Sequence, residues 1–156
     1  MTRSLHLQPA TAADLDTLLP MVRAYHAFEQ ISCSEPQRAD AVRTLLTDDH
    51  LGGVWLLVID QQSVGYLALT YGYSIELGGR DAFIDEFFVE EAHRGNGYGR
   101  AALRVIQDIA AAAGIQVLHL EVGQHNVRAA RLYRGCGFQA RDRFHLMSAH
   151  LNANKL

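Results

Sequence analysis

An α/β fold on a single mixed sheet is what this chain predicts, and three observations carry the prediction. Its 156 residues are 49% apolar and 20% charged, with 13 Gly and 3 Pro. That is ordinary globular composition, long enough to bury roughly 70% of the unfolded surface. Short apolar runs of strand length are interleaved with longer stretches of helical period. Glycine and polar turns separate them, without repeat, low-complexity tract or linker. One domain over residues 1–156 is expected.

The elements follow in order. Ser4-Leu5-His6-Leu7-Gln8 alternates and stops at Pro9, a short strand. Thr11 can cap a helix with Leu15, Leu18, Leu19, Val22 and Tyr25 inward. Pro20 interrupts that pattern, so a kink or break is expected there. After a loop over 31–36, a second helix reaches about Thr47 with Ala41, Val42, Leu45 and Leu46 inward. Residues 54–59 and 64–73 form a hairpin across a turn at 60–63, and 82–89 is a third long strand. A strongly apolar helix over 97–113 ends at Gly114, a strand covers 115–122, and a helix over 126–134 ends at Gly135. Closing strands are expected at 138–140 and 143–149, and 152–156 reads as a frayed end.

Charge and cysteine content narrow the function. Fourteen Lys+Arg against 17 Asp+Glu give a net charge of −3, which leaves no electrostatic footprint for nucleic acid. Cys33 and Cys136 form no CxxC and read as free thiols in a reducing compartment. The longest apolar run, 54–59, is far short of a membrane span. The N-terminal stretch lacks the apolar region of a signal peptide, so the cytoplasm is the expected location. The eight histidines show no metal-ligand spacing, and no metal is expected. His119 reads as a histidine satisfied within the sheet.

The most informative stretch is Arg94-Gly95-Asn96-Gly97-Tyr98-Gly99-Arg100, between a strand and a helix. Alternate glycines let the backbone turn tightly and bare its N–H groups, which converge with the helix dipole on one point. Arg94 and Arg100 can add charge-assisted hydrogen bonds. The stretch reads as a pyrophosphate cradle. No Gly-Lys-Ser/Thr follows, which excludes a P-loop. Gly97-x-Gly99-x-x-Ala102 with Glu121 fits a relaxed dinucleotide pattern, but too little chain follows for a doubly wound sheet.

Arg94-x-x-Gly97-x-Gly99 also resembles the (Gln/Arg)-x-x-Gly-x-(Gly/Ala) motif of the GNAT acetyltransferase superfamily. Asp85-Glu86-Phe87-Phe88-Val89, Leu120-Glu121-Val122, Asn126-x-x-Ala129-x-x-Leu132-Tyr133 and Gly137-Phe138 extend the resemblance over the chain. The part from Ile84 to Phe138 is similar to diamine acetyltransferases, departing in the absence of a proline near Glu90. The resemblance implies a mixed, mostly antiparallel sheet whose central parallel strands splay, flanked by about four helices. It implies acetyl-CoA, with the backbone of Phe87, Phe88 and Val89 pairing with the pantetheine arm as an added strand does. Gly95, Asn96, Gly97, Tyr98, Gly99 and Arg100, with Arg94, would hold the pyrophosphate. Asn126 would bond the pantetheine or cap its helix.

The resemblance also implies direct transfer to an amine. Tyr133 would protonate the leaving thiolate. The base is left between Asp85 and Glu86, which are adjacent on a strand, so their side chains point to opposite faces and only one can face the cleft directly. A backbone N–H of Phe87 or Phe88 would face the developing oxyanion, and neither cysteine reads as a nucleophile. In such a fold Tyr25, Phe28 and Glu29 on one side, and Tyr71, Tyr73 and Glu76 on the other, would line the acceptor site, with Glu35 adding charge. Acids and aromatic rings together favour a cationic amine, small molecule or lysine side chain. Two other readings stand beside it: a nicotinamide-dependent oxidoreductase using the glycine turn, and a non-catalytic acyl-CoA-binding module. The strand at 143–149 would pair across a homodimer as in relatives, since its edge is otherwise exposed.

Overall fold

The strand over Gly52–Ile59 is apolar along its whole length because both of its faces are covered. In the computed structural model, which describes residues 4–151, this strand is β2. Around it lie β1 (Leu5–Pro9), α1 (Leu15–Phe28), α2 (Glu35–Thr47), β3 (Gln62–Ser74), β4 (Gly79–Val89), α3 (Tyr98–Ala112), β5 (Val117–His119) and α4 (Val127–Gly135). Trp55, Leu57 and Ile59 pack with Leu67, Leu69, Ala82 and Ile84 beneath Leu103 and Ile106 of α3. Val54, Leu56 and Val58 alternate with them and pack with Tyr66 beneath Leu18, Met21 and Val22 of α1. Each such fully buried aliphatic side chain contributes about 1.5–3 kcal/mol by leaving water. The result is three layers, with α1 and α2 on one face of the sheet and α3 and α4 on the other.

Strand order in the sheet equals sequence order, β1-β2-β3-β4-β5. The pairings are antiparallel except between β4 and β5. This is a mixed, mostly antiparallel sheet, and it removes the doubly wound scaffold that the dinucleotide reading needs. The β2–β3 hairpin closes through Asp60 and Gln61, both at positive φ, which matches the right-handed twist of the flanking strands.

Three expectations are corrected. α1 runs unbroken through Pro20. A proline costs one backbone hydrogen bond there, and the apolar side of Leu18, Met21 and Val22 holds the helix against the sheet. β5 is shorter than 115–122. It pairs with β4 at Asp81–Val117, Ala82–Leu118 and Phe83–His119 and then parts from it, so the central parallel strands splay as expected. The closing strands at 138–140 and 143–149 do not form. There the chain passes β5 across a groove of about 910 Å3. It turns where Phe144 N–H donates to Arg141 O (3.0 Å), and Arg141 and Arg143 both lie over the Phe144 ring. Without a neighbouring ladder an isolated strand is not stable. The end read as frayed, 152–156, lies outside the described residues.

Candidate functional site

The site begins at an irregularity in β4. Tyr66 faces Phe88, Leu67 faces Phe87 and Ala68 faces Glu86, but Leu69 faces Ile84. Asp85 is the extra residue of a β-bulge. Before it Ala82 and Ile84 pack toward α3, and after it Phe87 and Val89 do. The inserted residue therefore lets Asp85 and Glu86 share the face toward α1, where both line a cavity of about 80 Å3 with Leu18, Val22 and Tyr66. The expectation of opposite faces fails because it assumed unbroken alternation.

Hydrogen bonds and further titratable groups surround the pair. Glu86 Oε2 accepts from Tyr66 Oη–H (2.9 Å), and Glu86 Oε1 lies 2.9 Å from His26 Nε2. Burial, reinforced by Glu29, Glu86 and other neighbours, pushes the Tyr25 phenol up, and burial with Glu86 does the same to Tyr66. Burial, then the Glu29 charge, pushes Tyr133 up to about 12. Tyr25 thus feels Glu29, Glu86, Tyr133 and Asp85, while Tyr133 itself packs on the α3 side of the sheet. Asp85 keeps contact with solvent, yet desolvation raises its carboxyl above the usual range.

The cradle lies beyond the C-terminal end of β4. Gly95 and Gly97 have φ of 79° and 83°, the left-handed region. Gly97 caps the N-terminus of α3 with no side-chain bond, so the first N–H groups of that 15-residue helix stay uncapped. A Cβ at Gly97 would meet nothing within 4 Å, so space before the helix is open. Gly99 is tighter: a Cβ there would stand 3.3 Å from Leu132 of α4. Arg94 ties the turn to the strand, with Nε donating to Val89 O (2.8 Å) and its guanidinium over Phe88. Asn96 Nδ2 donates to His93 O and Arg94 O (3.3 Å each), which holds the turn itself. These bare donors fit a pyrophosphate. The edge of β4 left unpaired past Phe83 fits an amide-bearing arm.

Residues 19–138 match the acetyltransferase (GNAT) family. The chain belongs to this family. It is 41% identical over 63 residues to the uncharacterized N-acetyltransferase YycN of Bacillus subtilis (strain 168), covering 40% of each chain. The match thus spans well under two thirds of that relative's length. It is 24% identical over 145 residues to the thialysine N-epsilon-acetyltransferase of Mus musculus, covering 87% of this chain and 85% of the other. Among solved structures, integron cassette protein HFX_CASS3 from the mobile metagenome of Cole Harbour Salt Marsh superposes with a TM-score of 0.81. It is 29% identical, with 92% and 89% covered.

The other residues expected to serve a GNAT site fall into two groups. Asn126 caps α4, its Oδ1 accepting from Ala129 N–H (3.2 Å). Tyr98 packs on the α3 core. Arg100 is turned toward α4, its guanidinium 3.1 Å from where a Cβ of Gly135 would stand. Phe28, Tyr73 and Glu76 stand exposed on α1 and at the β3–β4 hairpin end, and nothing among the described residues ties them to the acid pair. Tyr71 and Glu35 depart from expectation. Tyr71 packs toward α3 beneath Arg80, and Glu35 is engaged by Arg23 and Arg38. The hydrogen bond from Arg23 comes first in holding the Glu35 carboxyl down at about 2. His119 pairs with Asp81 at 3.3 Å, a histidine satisfied in the sheet.

Three residues were missed by sequence reasoning. His26 and Arg38 are buried polar side chains on α1 and α2. Arg128 reaches from α4 to within 3.6 Å of where a Gly95 Cβ would stand, adding positive charge beside the cradle. A basic residue two positions after Asn126 was the available signal. Among the described residues no helix is long and apolar enough to cross a membrane, and no group of three His, Cys, Asp or Glu is placed to hold a metal ion.

Proposed function

We propose that this chain is an acetyl-CoA-dependent N-acetyltransferase acting on a primary amine of a cation, either a small polyamine-like molecule or a lysine-type side chain. The observation that carries the reading is the bulge, which gathers Asp85 and Glu86 on the face toward α1, in the field of Tyr25 and Glu29. The relative named for thialysine, itself a basic amino acid, supports an amine of this kind. Bound acetyl-CoA supplies an activated acetyl thioester. A free amine of reference pKa about 10.4 must first lose a proton, and the acid pair takes it, directly or through water. A backbone N–H of Phe87 or Phe88 faces the developing negative charge on oxygen. Tyr133, protonated throughout the neutral range, gives its proton to the departing thiolate. Neither thiol intervenes: Cys33 donates to Ser34 O, and Cys136 packs on the α3 core. The two free thiols also fit a reducing compartment, and we place the activity in the cytoplasm.

Thermal shift with acetyl-CoA, CoA and NADH, followed by thiol release against polyamines, aminoglycosides and lysine peptides, tests this reading. Stabilisation by both CoA species with turnover on a cationic amine is expected. A shift without turnover makes the chain a binding module, and a shift with NADH alone returns the oxidoreductase.

Two predictions arise here. Desolvation places the folded pKa of Asp85 above its unfolded value. Asp85 therefore stabilises the fold below the ordinary carboxylate range and loses that contribution as pH rises through the raised value. Ionised at neutral pH, it is a cost. Asp85→Asn is expected to raise Tm at pH 7 and to lower kcat/KM for the amine by about a hundredfold; a lower Tm argues against the desolvation. The reading also includes a homodimer at the open edge of β5. Unpaired backbone there, and exposed Phe144, Leu146 and Met147 alongside, support a second copy. Light scattering across a dilution series that finds monomer throughout rules it out.

A further inference from the structure

One continuous line of hydrogen bonds runs from the acid pair to the surface. Tyr66 Oη–H donates to Glu86, Glu86 meets His26 Nε2, and Arg38 Nε–H donates to His26 Nδ1 (3.2 Å). The other nitrogens of Arg38 donate to Glu35 Oε1 and to Cys33 O (3.0 Å). Arg23 closes the line with a bidentate grip on Glu35 at 2.9 Å and 2.9 Å. His26 and Arg38 are only 8% and 6% exposed. Burying a guanidinium, an imidazole and a carboxylate in one line costs desolvation that apolar side chains of the same volume avoid. Stability alone does not call for it.

The donors fix the chemistry. A guanidinium has no acceptor, so the atom facing Arg38 Nε must be an imidazole lone pair. The proton of neutral His26 then sits on Nε2 and points at Glu86 Oε1. With Tyr66 donating to the other oxygen, both oxygens of Glu86 are held and its carboxylate plane is fixed. Asp85, one residue away in the bulge, has no such restraint among the hydrogen bonds of the described residues.

We propose that His26, locked by Arg38 as the Nε2–H tautomer, is the positioning residue of Glu86 and holds its carboxylate as a fixed wall of the acceptor site. The charged and titratable groups around His26 are Tyr25 and Glu29 on α1, Glu35 and Arg38 on α2, Tyr66 on β3, and Asp85 and Glu86 on β4. This inference rests on the amine-transfer reading for its kinetic consequence but not for its tautomer.

Two variants and one spectrum test it. His26→Leu removes the donor and is expected to lower kcat/KM for the amine by about tenfold to a hundredfold, chiefly through KM, with acetyl-CoA affinity unchanged. His26→Gln restores an N–H near the Nε2 position and is expected to recover most of that loss, which a merely structural side chain would not do. Nitrogen-15 shifts of the wild-type imidazole at pH 7.5 are expected to show Nε2 protonated and Nδ1 bare. In Arg38→Met, whose side chain donates nothing, this tautomeric preference is expected to disappear. A proton on Nδ1 in the wild type overturns the proposal, as does unchanged amine KM and kcat in a folded His26→Leu protein. If the wild type acetylates no amine in the panel, the acceptor reading fails, and the tautomer alone decides whether Arg38 locks His26.

Discussion

Gly97→Asp is expected to abolish acetyl-CoA binding while leaving the domain folded. The structure separates the two effects. At φ of 83° an L-residue is strained by about 1–2 kcal/mol, but aspartate tolerates that region better than most. A Cβ at this position meets nothing within 4 Å. The charge of aspartate also suits the N-terminal end of a helix dipole. Tm without ligand should therefore shift little. The ligand meets the opposite situation: the new carboxylate takes the donors and the space that a pyrophosphate needs, and repels it. Acetyl-CoA at 100 times Kd should stabilise the wild type by about 2.7 kcal/mol, and this gain is expected to vanish in the variant. Retention of the full thermal shift would mean that the turn before α3 is not the phosphate site.

Tyr133→Phe is expected to lower turnover by about 10²- to 10⁴-fold with little change in acetyl-CoA affinity. The ring contributes packing that phenylalanine keeps, since Tyr133 lies edge-on to Phe138 at 6.0 Å and against the α3 core. Only the hydroxyl is lost. Burial and then Glu29 push its pKa up to about 12, so it holds a proton at every working pH and can act as an acid. The wild-type profile should show no loss of this acid until pH approaches that value. A fully active Tyr133→Phe protein would return the residue to the core.

The local parts of this site were legible in the sequence, and the parts made by long-range contacts were not. The glycine turn, the start of α3 and the Asn126 cap each depend on neighbours within a few residues, and each stands where expected. The facing of Asp85 and Glu86 was misjudged because a bulge is a property of two strands, seen only when Ala68 is paired with Glu86 and Leu69 with Ile84. His26 and Arg38 carried no local signal, and only the meeting of α1, α2 and β4 gives them partners. The closing strands at 138–140 and 143–149 were expected from local sequence, which supplies propensity but no neighbouring ladder.

The pairing of two carboxylates on one face by the bulge has a consequence for how a catalytic cycle would end. On the proposed reading an ammonium ion would arrive as a cation, drawn in by Asp85, Glu86 and Glu29. Acetylation would turn that same nitrogen into a neutral amide, so the attraction at the reacting centre would disappear in the step that completes the chemistry. The proton taken by the pair also lowers the local negative charge until it escapes to water. Uptake and discharge would thus be driven by one field acting on two charge states, and the acetylated amine would leave without the protein having to open.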